Sequence, residues 1–244
     1  MCTVTFIPVN GKTFITSNRD EKTLRQKAHP PAIYSVNGQK ILFPKDGAAG
    51  GSWIAVNEQY GTAVLLNGGF VKHRVNPPYR MSRGILLLEV VQVTNPVYFF
   101  QQTDLSGIEP FTIIHFNNQL HQLTWTGDVK HCRQLDPSKP TIWSSVTLYE
   151  QPVIAKRERW FADFLINNPI PDQESILDFH MNTGDGDKQN DLVMNRDNKL
   201  TTVSITSVEI MEQHCSMKYA DRLSNETYVT TIGKESFQSQ HIQQ

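Results

Sequence analysis

The chain has little cysteine: Cys2, Cys132 and Cys215 are the only three in 244 residues. An odd number without framework spacing excludes a disulfide-stapled scaffold. It points to free thiols in a reducing compartment, so a cytoplasmic location is expected. Charge of one sign is lacking too, since 23 Lys and Arg against 24 Asp and Glu leave a net charge of -1. Without a basic excess there is no electrostatic case for nucleic acid or an anionic membrane. Long apolar runs are missing: residues 85–88 stop at Glu89, far short of the ~20 residues a helical membrane span needs. No basic stretch followed by an apolar one opens the chain, so no secretory leader is expected. The eight histidines show no His-x-x-x-His or His-x-His spacing. His131-Cys132 and His214-Cys215 are adjacent pairs, and strand neighbours face opposite sides. Neither a metal nor a cofactor is therefore expected. What remains is a globular composition, 39% hydrophobic and 19% charged, in which one domain of this length is ordinary.

The most informative stretch is the first, MCTVTFIPVNGKTFITSNRDE. Asn10-Gly11 lies between two runs of alternating and β-branched residues, the strongest short-range hairpin signal, because both central residues of a type I′ turn need positive φ. Taken literally, the turn pairs Val9 with Lys12, Phe6 with Ile15, Val4 with Ser17 and Cys2 with Arg19. It brings a thiol beside Asn18-Arg19-Asp20-Glu21, a dense polar cluster at a strand end. Singly these residues read as structural, since Arg-Asp pairs at strand ends are usually surface ion pairs. In this register together they suggest chemistry.

Further along, Asn37-Gly38 and Asn117-Asn118 mark two more hairpins, and residues 52–56 and 62–66 read as a strand pair ending at Asn67-Gly68-Gly69. The glycine-rich stretch 46–51 lacks the Gly-Lys-Ser/Thr ending of a phosphate-binding loop. Residues 81–91 form an apolar helix with Ser82 as N-cap. Residues 141–145 read as a short strand. Pro152 opens a helix with apolar residues at helical spacing, and Asp172 caps a shorter one. Asp185-Gly186-Asp187 resembles the start of a calcium loop, but the remaining liganding positions fail the pattern. Residues 200–208 are a strand. Residues 1–233 read as one domain, and the glutamine-rich 234–244 as a polar, disordered tail. Strands dominate with helices grouped after them, which argues an α+β fold.

Met-Cys-Thr, the hairpin and Asn18-Arg19-Asp20-Glu21 together resemble the Asn-Arg-Asp-Glu family, also called the transport and Golgi organisation 2-like family. Gly50-Gly51-Ser52-Trp53, Ser82-Arg83-Gly84, Trp143-Ser144-Ser145 and Thr202-Val203-Ser204 fit it in order. The resemblance runs from Met1 to about Asp221. It implies the four-layer αββα sandwich of N-terminal nucleophile hydrolases, close to the acyltransferase and conjugated bile-salt hydrolase branch. In that branch Asn67 would occupy the position of an oxyanion-hole asparagine.

The resemblance also implies a mechanism. With Met1 removed, Cys2 would carry a thiol of pKa ~8.5 beside an α-amine of pKa ~7.7–8.0, so nucleophile and base share one residue. Arg19 would favour the thiolate. Asp20 would orient the ammonium, and Asn67 would donate to the oxyanion. Cys2, Arg19, Asp20 and Asn67 are thus the expected catalytic residues. Asn18, Glu21, Trp53, Ser144 and Ser145 are the expected substrate-binding ones. The expected reaction is acyl transfer from a carbon–nitrogen amide of a small-molecule substrate. The alternative is a non-enzymatic carrier of haem or lipid-related metabolites using the same pocket, although the sequence holds no Cys-x-x-Cys-His haem motif. The acyl group, the leaving amine and the oligomeric state are not encoded legibly.

Overall fold

The computed structural model describes residues 3–233. The expectations for Met1, Cys2 and the tail 234–244 fall outside the described residues. Strands β1 (Thr3–Val9) and β2 (Lys12–Lys22) form the first hairpin. Asn10 and Gly11 turn it with φ of 50° and 75°, as a type I′ turn requires. Val9 pairs with Lys12, Phe6 with Ile15 and Val4 with Ser17, and the last described pair is Thr3 with Asn18. The expected pairing of Cys2 with Arg19 lies one residue beyond the described part.

The same turn chemistry joins β3 (His29–Val36) to β4 (Gln39–Lys45), with Asn37 at φ 51° and Gly38 at φ 79°. Next come β5 (Ile54–Asn57) and β6 (Gly61–Asn67). Helix α1 (Arg83–Val90) starts where the Ser82 hydroxyl accepts a hydrogen bond from the Ile85 amide. Helix α2 (Pro96–Gln102) precedes β7 (Phe111–Asn117), β8 (Gln119–Trp125), β9 (Lys130–Leu135) and β10 (Thr141–Ser144). Helices α3 (Gln151–Asn167) and α4 (Gln173–Asn182) follow, α4 closed by a capping box between Asp172 and Ser175. The last described elements are β11 (Asn195–Arg196), β12 (Leu200–Ile210), β13 (His214–Asp221) and β14 (Glu226–Gly233).

These strands make two antiparallel sheets. One runs β10-β1-β2-β12-β13-β14, with β11 beside β12; the other is a meander from β3 to β9. Phe6, Ile15, Trp53, Val64 and Tyr219 pack between the sheets. Leu86, Leu87 and Phe100 pack α1 and α2 against the second sheet. Phe161, Ile176 and Phe179 pack α3 and α4 against Ile7 and Phe14 of the first. The result is a four-layer αββα sandwich. Each fully buried Phe or Ile contributes about 1.5–3 kcal/mol, so the three apolar layers hold the stack together.

One feature of the chain order differs from expectation. The helices are not grouped after the strands but come in two pairs, one inserted in each half of the chain. Each sheet has an apolar outer face, and each face needs its own cover. The pairing of β2 with β12 shifts between Thr202 opposite Asp20 and Ser204 opposite Arg19, leaving Val203 as an extra residue. Such bulges re-aim side chains, and this one falls beside the polar cluster.

Candidate active site

The period of two along β2 divides the Asn-Arg-Asp-Glu cluster. Arg19 and Glu21 line a cavity of 140 Å³, together with Trp53 before β5 and Asn67 at the end of β6. Asn18 and Asp20 serve the other face. Asn18 Nδ2 donates to the carbonyls of His180 (3.2 Å) and Leu192 (2.7 Å), and its Oδ1 lies 2.5 Å from His180 Nδ1. Asp20 accepts from the Tyr149 hydroxyl on one oxygen and from Thr202 Oγ1 on the other, both at 2.5 Å. Of the residues expected to be catalytic, Arg19 and Asn67 therefore share a cavity. Asp20 sits on the opposite face of the same strand, and Cys2 lies outside the described residues.

Arg19 is fixed from several directions. Its guanidinium lies 4.5 Å from the centre of the Trp53 ring and bonds Asp46 Oδ2 at 2.6 Å. Its NH2 also lies 3.6 Å from Glu21. Arg25 forks onto the same Asp46 with bonds of 3.0 and 2.8 Å. The Ala48 and Ala49 amides donate to Asp46 Oδ1. Burial pushes the Asp46 carboxyl up, but the Arg25 bond, the Ala49 amide and the charges of Arg25 and Arg19 outweigh it and hold the group below its usual range. Arg83, at the first turn of α1, completes the wall and pairs with Glu109 at 2.9 Å. Burial lowers its pKa against the opposing charge of Glu109. Three guanidinium groups and two carboxylates thus line one small cavity, and the Glu109 carboxylate behind Arg83 balances the third cation.

Asn67 closes the cavity from the second sheet. Its carbonyl accepts from Ser145 Oγ at 2.8 Å, and Ser145 is buried with its hydroxyl also 2.8 Å from Thr147 Oγ1. Ser144 lies on β10 opposite Thr3. The two serines join the N-terminal strand to the Asn67 corner rather than lining the arginine cavity. Gly51 and Gly84 let the glycine-rich stretch press on α1, because a Cβ on Gly51 would come within 2.4 Å of the Gly84 carbonyl carbon.

Arg25, Asp46 and Arg83 were not among the expected site residues. The signal for Asp46 is its place at the head of the glycine-rich stretch, where a short acidic side chain caps the turn amides. Cys132 is exposed and Cys215 buried, and burial pushes the Cys132 thiol up. Among the described residues no group of three or more His, Cys, Asp or Glu is arranged to hold a metal ion, and no helix is long and apolar enough to cross a membrane.

Two stacked antiparallel sheets between helix pairs, with the polar cluster at the open end of the first hairpin, define the N-terminal nucleophile hydrolase fold. Solved structures agree. The chain is similar to a cysteine-to-alanine mutant of conjugated bile acid hydrolase from Clostridium perfringens, at 9% identity and TM-score 0.62, over 97% of this chain and 94% of that one. It is similar to penicillin V acylase from Agrobacterium tumefaciens, at 9% identity and TM-score 0.58, over 94% and 85%. A Caenorhabditis elegans ortholog of N-acylethanolamine-hydrolyzing acid amidase matches at 13% identity and TM-score 0.50, over 84% and 92%. No curated protein sequence matches the chain. Within this fold the chain belongs to the Transport and Golgi organisation 2 family, whose family profile matches residues 1–239.

Proposed function

We propose that the chain is an N-terminal-cysteine hydrolase or acyltransferase acting on a carbon–nitrogen amide of a small molecule. The observation that carries this reading is the shared cavity of Arg19, Trp53 and Asn67, beside the end of the hairpin at which Thr3 pairs with Asn18 and Ser144. Cys2 is the residue bonded to Thr3, and Arg19 is the residue after Asn18.

In this reading Met1 is removed and the α-amine of Cys2 takes the thiol proton. The thiolate attacks the amide carbonyl carbon, and the negative charge moves to the oxygen, where Asn67 donates. An aligned donor of this kind is worth about 3–4 kcal/mol. The carbon–nitrogen bond then breaks. The departing nitrogen takes the proton from the Cys2 ammonium, leaving a thioester. Water or a second amine attacks the thioester and regenerates the thiol. Arg19 favours the thiolate by its charge and is itself kept in place by Trp53 and Asp46. The fold similarity to amidases and an acylase supports the reaction class.

The test is turnover of an amide and ester panel by the wild-type chain and by Cys2→Ser. Turnover that Cys2→Ser loses, with an unchanged fold, supports the reading. If the two proteins match on every compound and still bind the same ligand, the pocket is a carrier site and the hydrolase reading is wrong.

A further inference from the structure

Arg157 of α3 is fully buried, yet no carboxylate stands within ion-pair distance of it among the described residues. An unpaired buried cation is costly and needs a reason to be kept. Its contacts supply one. The NH1 group donates to the Thr3 hydroxyl, on the residue bonded to Cys2. The NH2 group donates to the carbonyls of Asn190 (3.1 Å) and Asp191 (2.8 Å). The guanidinium carbon sits 3.6 Å from the centre of the Tyr149 ring, and the Tyr149 hydroxyl donates to Asp20.

One side chain therefore grips the first described residue of β1 and backs the ring whose hydroxyl holds Asp20. A cation over the phenol ring draws electron density from it, so the hydroxyl donates more strongly to a carboxylate. The other titratable groups facing this site do not cancel the charge. His180, which packs on β1 through Thr5 Oγ1 at 2.8 Å, is kept neutral by burial and by the charge of Arg157 itself. Arg196, on the far side of Tyr149 at 5.5 Å, adds a second cation. The nearest carboxylate in the chain of contacts is Asp20, reached through Tyr149.

We propose that Arg157 is a positioning residue for the reaction. It sets the N-terminal strand through Thr3 and Asp20 through Tyr149, and its uncompensated positive charge favours the Cys2 thiolate. This rests on the nucleophile reading above and assigns a role to a residue that never touches the arginine cavity.

The experiment follows iodoacetamide alkylation of Cys2, resolved by peptide mass spectrometry across pH 5 to 10. The full chain is compared with Arg157→Lys, Arg157→Met and Tyr149→Phe. Removing the buried charge raises the midpoint of the Cys2 profile in Arg157→Met by about one pH unit. Arg157→Lys, which keeps the charge without the fork, recovers most of that shift. Tyr149→Phe strips a hydrogen bond from Asp20, leaves its negative charge less shared, and shifts the midpoint the same way. It also keeps the proposal testable if Arg157→Met does not fold. Lower melting temperatures with unchanged midpoints in Arg157→Met and Tyr149→Phe, or in Tyr149→Phe alone where Arg157→Met does not fold, would mean that Arg157 is only structural, which overturns the proposal. A wild-type Cys2 no more reactive than Cys132 removes the nucleophile reading itself, and this proposal with it.

Discussion

The Arg19 guanidinium meets the Asp46 carboxylate at 2.6 Å, and both side chains are nearly buried, with 7% and 11% of their surface exposed. Asp46 also receives Arg25, so a single carboxylate steadies two cations of the cavity. Removing one partner of such a cluster leaves charge unpaired in a place with little water.

Asp46→Asn keeps the shape and loses the charge. It should lower stability at pH 7 by about 2–3 kcal/mol, below the range for a fully enclosed pair because the cavity is open to water. Urea unfolding checks this. The sign with pH is fixed by the direction of the shift: the folded pKa lies below the unfolded ~3.9. The unfolded chain therefore takes the proton first. The Asp46 contribution is complete above about pH 4 and is lost as pH falls through the folded pKa, so the gap between wild type and variant closes only in acid.

Two buried histidines set a second acid-sensitive window. Burial, with the nearby charge of His121, pushes His115 down to about 4. Burial, with the charge of Arg157, pushes His180 down to about 3. Both folded values lie below the unfolded ~6.5, so as pH falls the unfolded chain binds these protons first and stability decreases. Stability should be complete above about pH 6.5. Below it, each histidine should cost roughly 1.4 kcal/mol per pH unit until about pH 4 for His115 and about pH 3 for His180. Unfolding free energies at pH 7, 6 and 5 measure the slope. A flat line across that range would mean that these rings are protonated in the folded protein.

Much of the scaffold was legible in the sequence. Asn-Gly at positions 10–11 and 37–38 forced positive φ and so fixed two hairpins with their registers. Ser82 and Asp172 announced their helices by capping chemistry. Other elements were missed for physical reasons. Strand β9, Lys-His-Cys-Arg-Gln-Leu, is polar because it is a sheet edge facing water. Helix α2 is seven residues with an apolar run too short to show a helical period. Strand β13 does alternate, burying Cys215, Met217 and Tyr219, but its serine and lysine dilute the β signal. The site was half legible. The cluster 18–21 was visible, but strand alternation sends Asp20 away from Arg19. The companions Arg25, Asp46 and Arg83 come from separate stretches that only the fold brings together.

Asn67 carries the next expectation. On a substrate turned over by the wild-type chain, Asn67→Ala should lose about 100- to 1,000-fold in kcat, the effect of deleting one oxyanion donor. Its half-buried side chain makes the cost in stability small. A loss confined to KM would make Asn67 a binding residue instead.

The central claim is that Cys2 is both the N-terminal residue of the working protein and its most reactive thiol. Limiting iodoacetamide at neutral pH, followed by mass spectrometry of the N-terminal peptide, tests it most directly. The account predicts a peptide that begins at Cys2 and carries the label first. Cys132 should follow slowly, its thiol pKa raised by burial, and Cys215, 1% exposed, should stay unlabelled. A mature chain that retains Met1, or a label that enters Cys132 before Cys2, contradicts it.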